Sequence, residues 1–359
     1  MAVVGRTYAA LRHAAKPSVV CKNDKANSRP IDHVRDGAGS LEVITPDDDS
    51  AITGMLTFGD GLYAVKEKGI YEIKLADQID PERKNIHVPN TIQRVLPYGS
   101  AEPWVGSVLL TGHELLKKEI LNDGLDVDKA MLLVLGIAQN IASAKEVLHA
   151  FSDSQKAAIE KYDLIVSKNR SVVLPSVNGI ANKSKEFFQK SDHALDGLFK
   201  IVKLFIPNVG KGGWDSLQNE IGKETEKIDN FSEVLKKMVP FLKFVRNSRN
   251  CVEHPRAEKR IITTDFSINP ENKLFPPSIE IVHSKTPQQP MQVVELMSHV
   301  VNSIVDIVEV MLAFLCNRQI QPIAGFPVQV HMFPENQRRT QSVRYGYGIA
   351  TEDNIIHFG

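Results

Sequence analysis

The chain has little cysteine. Cys21, Cys251 and Cys316 are the only three in 359 residues, an odd set without CxxC spacing. That argues against a disulfide framework and against a cysteine-rich zinc site, and a reducing cytoplasm suits it best. Charge of one sign is also missing, because 43 Lys and Arg balance 43 Asp and Glu. No global positive field draws such a chain onto nucleic acid or an anionic membrane, so any RNA contact has to be local. Long uncharged runs are absent too. The most apolar stretch, Val293 to Cys316, is interrupted by Glu295, His299, Asn302, Asp306 and Glu309, whereas a spanning helix needs about 20 nearly uncharged residues. It reads as a core helix, and no membrane partner is expected.

The first 23 residues contain no acid but carry Arg6, Arg12, Lys16 and Lys22. This resembles a targeting segment superficially, yet no apolar run of signal-peptide length follows. Residues 1–39 are therefore expected to be a flexible or partner-bound segment. His283, His299, His331 and His357 have no partner at metal-ligand spacing, and His113 beside Glu114 makes no HExxH, so neither a metal nor another cofactor is expected. No internal repeat is visible.

With 42% hydrophobic residues, the chain can bury one main core with smaller appendages. Residues 40–118 read as a small β-rich module. Within it Leu62–Val65 and Ile70–Leu75 flank Lys66-Glu67-Lys68-Gly69 as a hairpin, and the prolines at 81, 89, 97 and 103 leave few regular elements up to residue 112. Residues 119–318 read as a helical domain. Its helices run from an Asp126 cap to about Phe151, from Gln155 to Ser167, from near Val177 to Ile206, and from near Asp215 to His254, the last kinked or divided at Pro240. A hairpin is expected at 260–283 and a last long helix from Val293 to about Asn317. The tail, 319–359, turns strand-like near Val328–Met332 and Val343–Ile349 and could return to the N-terminal β module. The overall class is α+β, mainly α. The Gly210-Lys211-Gly212-Gly213 loop lacks the spacing and the Ser/Thr of a phosphate-binding P-loop.

Chemistry concentrates in Arg249-Asn250-Cys251-Val252-Glu253-His254, at the end of the helix that Pro255 stops. Residues four apart on a helix share a face, so Arg246, Asn250 and His254 form one stripe and Arg249 and Glu253 the next. Histidine moves a proton near neutral pH, and arginine holds phosphate oxygens with a planar, permanently charged fork. RNA cleavage by its own 2′-hydroxyl needs a base, a cation for the phosphorane charge and a proton for the leaving 5′-oxygen.

The segment resembles the ribonuclease motif of HEPN domains, in which Arg, a polar residue and a few variable positions precede His late in a helical bundle. The resemblance covers roughly residues 120–318 as an architecture, a HEPN-like helical bundle, and about six residues as a motif. It implies a metal-independent endoribonuclease acting as a homodimer, in a toxin or antiphage-defence setting with an inhibitor or activator protein as possible partner. Arg249 would be the catalytic cation, His254 the acid–base group, Asn250 the residue orienting them, and Arg246 a second phosphate contact or a solvated side chain. The alternative is a non-catalytic HEPN-like module that binds RNA, a nucleotide or a protein, and a helical scaffold unconnected with nucleic acid also stays open. Glu253 could merely pair with Arg249, and His254 could merely cap the helix. Cys251 reads as packing, since no base is placed for it. Arg338, Arg339, Arg344, Tyr345 and Tyr347 mix cations with aromatics as single-stranded RNA binders do, but so short a run also suits a strand edge. Trp104 and Trp214 read as packing residues.

Overall fold

The computed structural model describes residues 29–37, 42–162, 165, 167–210, 212–223, 230–323, 325–351 and 354–358. The protein is α+β, and its chain divides into two compact units at Ala101/Glu102. Most of the expected flexible N-terminal segment, and Cys21 and Lys211 with it, lies outside the described residues.

In the first unit, helix α1 (Pro30–Asp36) precedes strands β1 (Ile52–Phe58), β2 (Gly61–Lys66) and β3 (Ile70–Lys74), the short helix α2 (Ala76–Ile79) and strand β4 (Thr91–Leu96). The strands form an antiparallel meander in chain order. The expected hairpin is present, with Leu62 opposite Ile73 and Val65 opposite Ile70. Val65, Ile70, Ile73 and Leu96 fill its core. Lys66 is buried as well. Its ammonium donates to Thr45 Oγ1 at 2.7 Å and to the Asp48 carbonyl, and the Asp48 carboxylate accepts from Tyr71 Oη at 2.9 Å, so each buried polar group is matched.

The second unit starts earlier than the sequence suggests. Residues 102–118 belong to it, and α3 (Pro103–Val105), a π-helix (Gly106–Leu110) and α4 (Thr111–Leu115) follow one another without a break. The prolines before residue 112 punctuate structure rather than exclude it: Pro103 stands in the first helical turn, where no backbone donor is needed. Four long helices follow the short ones: α5 (Val127–Glu160), α6 (Ile180–Phe205), α8 (Phe231–Glu253) and α9 (Val293–Asn317), with α7 (Trp214–Lys223) ahead of α8. Helices α5 and α6 form the most extensive pair, and α6 also packs on α8 and α9. Phe151, Phe187, Phe188, Leu198, Leu242, Val300 and Leu312 are buried in this bundle. Helices α5 and α9 are long and apolar enough to cross a membrane by length and composition, but 56% and 67% of their most apolar windows are buried within the protein.

Of the helix expected at 155–167, residues 155–160 are the end of α5, because Ser152-Asp153-Ser154 contains neither proline nor glycine to stop it, and the described residues beyond Glu160 are not helical. The long helix expected from Asp215 onward is two, α7 and α8. Pro240 is not where it divides, since α8 runs through that residue. Pro240 and Lys236, whose carbonyl loses its amide partner, are both exposed, so water can satisfy the orphaned acceptor.

Strands β5 (Arg260–Thr264), β6 (Ser267–Ile268), β7 (Leu274–Phe275), β8 (Ser278–Val282) and β9 (Gln288–Gln292) fill the insertion between α8 and α9. Strand β5 pairs with β8 as expected, with Ile262 opposite Glu280. The third strand, β9, was hidden in the sequence by Pro290, which a sheet tolerates only at an edge. In the tail, β10 (Gln329–Met332), β11 (Tyr345–Ala350) and β12 (Ile355–His357) form a three-stranded sheet of their own among the described residues, where the sequence suggests a return to the N-terminal β module. Strand β11 lies against α4, where Tyr347 Oη donates to the Leu115 carbonyl at 2.5 Å. Trp104 is buried, and Trp214 packs edge-on against Phe199 at 4.8 Å.

Replacing Pro240 with alanine restores the missing helical hydrogen bond on an exposed face. The Pro240→Ala variant is expected to be more stable by roughly 2 kcal/mol, the cost of about 3 kcal/mol for an interior proline less its benefit in the unfolded chain. Urea unfolding at constant m-value checks this, and an unchanged or lowered midpoint would count against an unbroken α8.

Candidate functional site

Helix α8 carries two differently employed faces. Arg246, Arg249 and Glu253 point towards α6. The Arg246 guanidinium donates from Nη1 to Asp192 Oδ2 at 3.1 Å and to Asp196 Oδ1 at 3.0 Å. Arg249 Nη2 lies 2.6 Å from Glu253 Oε2, and its Nη1 donates to Asn250 Oδ1 at 3.4 Å. Arg249 Nε is buried 3.8 Å from Asp192 Oδ2, too far for a hydrogen bond, and has no hydrogen-bond partner among the described residues. Gln189 of α6 donates to Glu253 Oε1 at 3.0 Å.

Asp192 is 2% exposed. Burial pushes its carboxyl above the ordinary carboxylate range, and Arg246 pulls against that shift. Burial also works against the charge of Arg246, but Asp192 and Asp196 outweigh it and hold the guanidinium above its usual value. Of the two partners, Asp192 carries the costlier charge, because Arg246 still reaches solvent. Around the motif two guanidinium groups, Arg246 and Arg249, face three carboxylates, Asp192, Asp196 and Glu253.

The other face of α8 meets the insertion. Asn247 Nδ2 donates to Thr286 Oγ1 at 3.1 Å, and the Cys251 thiol donates to the Val282 carbonyl at 3.7 Å. The chain after β8 thus runs antiparallel to α8. His283 Nδ1 accepts from the backbone N–H of Lys285 and Thr286 at 3.2 and 3.3 Å. That arrangement keeps the proton of the neutral ring on Nε2. Burial, with Lys259 and Lys285, lowers the pKa of His283. Burial pushes the Cys251 thiol up, so Cys251 packs rather than attacks.

His254 is the first residue beyond α8, at φ −133° and ψ 62°, and its N–H still bonds to the Asn250 carbonyl at 3.0 Å. Pro255 disfavours a helical conformation for the residue before it, which fixes the helix end at this point. The His254 ring is exposed, and among the described residues it makes no hydrogen bond. Exposed Arg256 and Arg260 and half-buried Lys259 follow it in the chain.

The structure therefore gathers Arg246, Arg249 and Asn250 into one network and leaves His254 in solvent at its end. Five residues of helix rotate about 140°, which separates the directions of Arg249 and His254. Sequence reasoning missed Gln189, Asp192 and Asp196, whose only signal was their spacing on the amphipathic α6, and it missed Asn247, Thr286 and His283. The cation and aromatic run of the tail is dispersed: Arg344 pairs with Glu309 and Asp306, Arg339 faces Glu114, and Tyr347 is buried. Comparisons of the chain with protein-family models, with curated proteins and with solved structures found no match.

Glu253 accepts from Gln189 and sits beside Arg249, which hold its carboxyl below the ordinary range. A depressed carboxylate pKa adds stability above the unfolded value of about 4.3, and that stability is lost as pH falls through the folded value. The Glu253→Gln variant is expected to unfold at lower urea than the parent at pH 7, and the two midpoints should converge on acidification below about pH 4. A gap that does not change with pH would assign Glu253 a packing role only.

Proposed function

We propose that the helical unit is a HEPN-type domain that acts on RNA in the cytoplasm as a metal-independent endoribonuclease, completed by a second copy of the chain. The observation that carries this reading is the exposed His254 imidazole at the proline-terminated end of α8, one residue beyond a helix that holds Arg249 and Asn250 in a fixed network. In this reading His254 takes the proton from the ribose 2′-hydroxyl, the 2′-oxygen attacks phosphorus, and the bond to the 5′-oxygen breaks, leaving a 2′,3′-cyclic phosphate. Arg249 steadies the phosphorane charge, and Asn250, which accepts from Arg249 Nη1, orients it. One chain supplies one such imidazole, so the proton for the leaving 5′-oxygen comes from His254 of a second copy. A toxin or antiphage-defence role, restrained or released by a partner protein, belongs to the same reading.

A second reading rests on the pairing of Arg249. Its Nη2 is taken by Glu253, which Gln189 holds, so a module that uses the network only for stability and binds RNA, a nucleotide or a protein elsewhere accounts for the same contacts.

The two are separated by incubating a mixed single-stranded RNA pool, in EDTA, with the parent protein and with folded His254→Ala and Arg249→Ala variants. The parent should generate 2′,3′-cyclic phosphate ends, and the His254 variant should be slower by about 10²–10⁴-fold, the usual worth of a general acid–base group. Cleavage that survives both substitutions, or no cleavage by the parent, would pass the site to the binding reading.

A further inference from the structure

A second concave site lies in the helical unit away from the motif. A cavity of about 470 Å³ is lined by Glu102, Trp104, Ser107, Lys145, Arg338 and Arg344, together with residues of α9 and the tail. Its size falls in the range of about 300–1,000 Å³ usual for small-molecule sites. One wall is the π-helix, a form that recurs at functional sites. There the backbone comes so close to the tail that a Cβ on Gly106 would stand 2.2 Å from the Ser342 side chain, so glycine is required.

The two arginines of this cavity are arranged in advance. Glu309, fully buried on α9, accepts from Arg344 Nε at 3.0 and 3.1 Å, and Asp306 accepts from Arg344 Nη2 at 3.3 Å. Arg338 is held by backbone carbonyls instead, donating from Nε to Phe333 at 3.1 Å and from Nη1 to Gln341 at 3.2 Å. Neither Arg338 nor Lys145 has a carboxylate within ion-pair distance among the described residues. Arg338, positioned by those carbonyls, and Lys145 in the same lining thus lack a counter-anion, and the hydroxyls of Ser107 and Ser342 stand beside them in that lining. Glu102 and Asp306 contribute carboxylates that only accept hydrogen bonds, so an occupant has to bring donors as well as an anion. Pro103, Trp104 and Val305 add an apolar portion.

We propose that this cavity binds a small phosphorylated ligand of the size and chemistry of a nucleoside monophosphate. The phosphate meets Lys145 and Arg338, the ribose hydroxyls donate towards Glu102 and Asp306, and the base covers the apolar portion. Arg344 is a fixed part of the wall, kept in place by Glu309. The site is independent of the RNA chemistry proposed for α8.

The test is isothermal titration of the full chain with AMP, with adenosine and with inorganic phosphate. AMP is expected to bind saturably at one site per chain, adenosine and inorganic phosphate each at least about tenfold more weakly. Lys145→Gln and Arg338→Gln should each weaken AMP by about tenfold or more, and His254→Ala should leave it unchanged. Lys145 is partly exposed on α5, so its variant should keep the parent's unfolding midpoint even if Arg338→Gln does not. The proposal is overturned if AMP shows no saturable binding, if Lys145→Gln binds it as well as the parent does, or if the affinity is lost in His254→Ala.

Discussion

The geometry of the helical unit around α8 depends on one carboxylate that has been taken out of water. Asp192 sits in the α6–α8 interface with almost no exposure. A charge buried there costs several kcal/mol unless it is paired and hydrogen-bonded. Arg246 answers it directly, and Arg249 lies within ion-pair distance. Both arginines are thereby turned towards α6. Once they are, the opposite face of α8 is free for Asn247 and Cys251 to engage the insertion, and the helix end falls between the two contacts. The position of His254 is the consequence: it is carried outwards by a helix fixed on both sides and stopped by Pro255.

Much of this was legible in the sequence, because the signals are local. The last long helix has the bounds its apolar spacing implies, and the β2–β3 hairpin follows from alternation around a glycine turn. The i, i+4 relation of Arg249 and Glu253 likewise announced their ion pair. What the sequence hid depends on which groups meet at long range or on which side faces water. Asp192 looks like any polar residue on α6 until α8 is laid against it. Pro240 breaks no helix because its face is exposed, a fact that periodicity within α8 alone does not supply. Strand β9 contains a proline that demotes it by every local rule, yet β8 needs a neighbour on that side.

The pairing of Arg249 also bears on what the site can bind. Asp192 is buried and cannot leave, but Glu253 is partly exposed, with 17% of its side-chain surface open to solvent. A phosphate oxygen arriving at Arg249 would therefore displace Glu253, exchanging one anion for another at the same fork. An i, i+4 pair is worth only about 0.2–0.5 kcal/mol, so the exchange is cheap. In the HEPN reading Glu253 stands where a phosphate oxygen would bind, and Gln189 holds it there in the meantime.

In the HEPN reading long-range attraction of RNA is a separate requirement, and the motif network does not meet it. Two guanidinium groups against three carboxylates leave an excess of negative charge, and doubling the network in a dimer doubles that excess. The cations that could draw a phosphate chain lie just beyond His254: Arg256, Lys259 and Arg260 lead into β5, and Lys285 follows β8. Lys259 and Lys285 are close enough to His283 to depress its pKa, which puts basic charge on the side of α8 opposite the carboxylates. Electrostatic capture falls off over about 8–10 Å at physiological salt, so an RNA strand would be steered by the base of the insertion and presented to His254 from that side. In the HEPN reading the insertion is then the part of the chain that makes an acidic helix interface accessible to an anionic substrate.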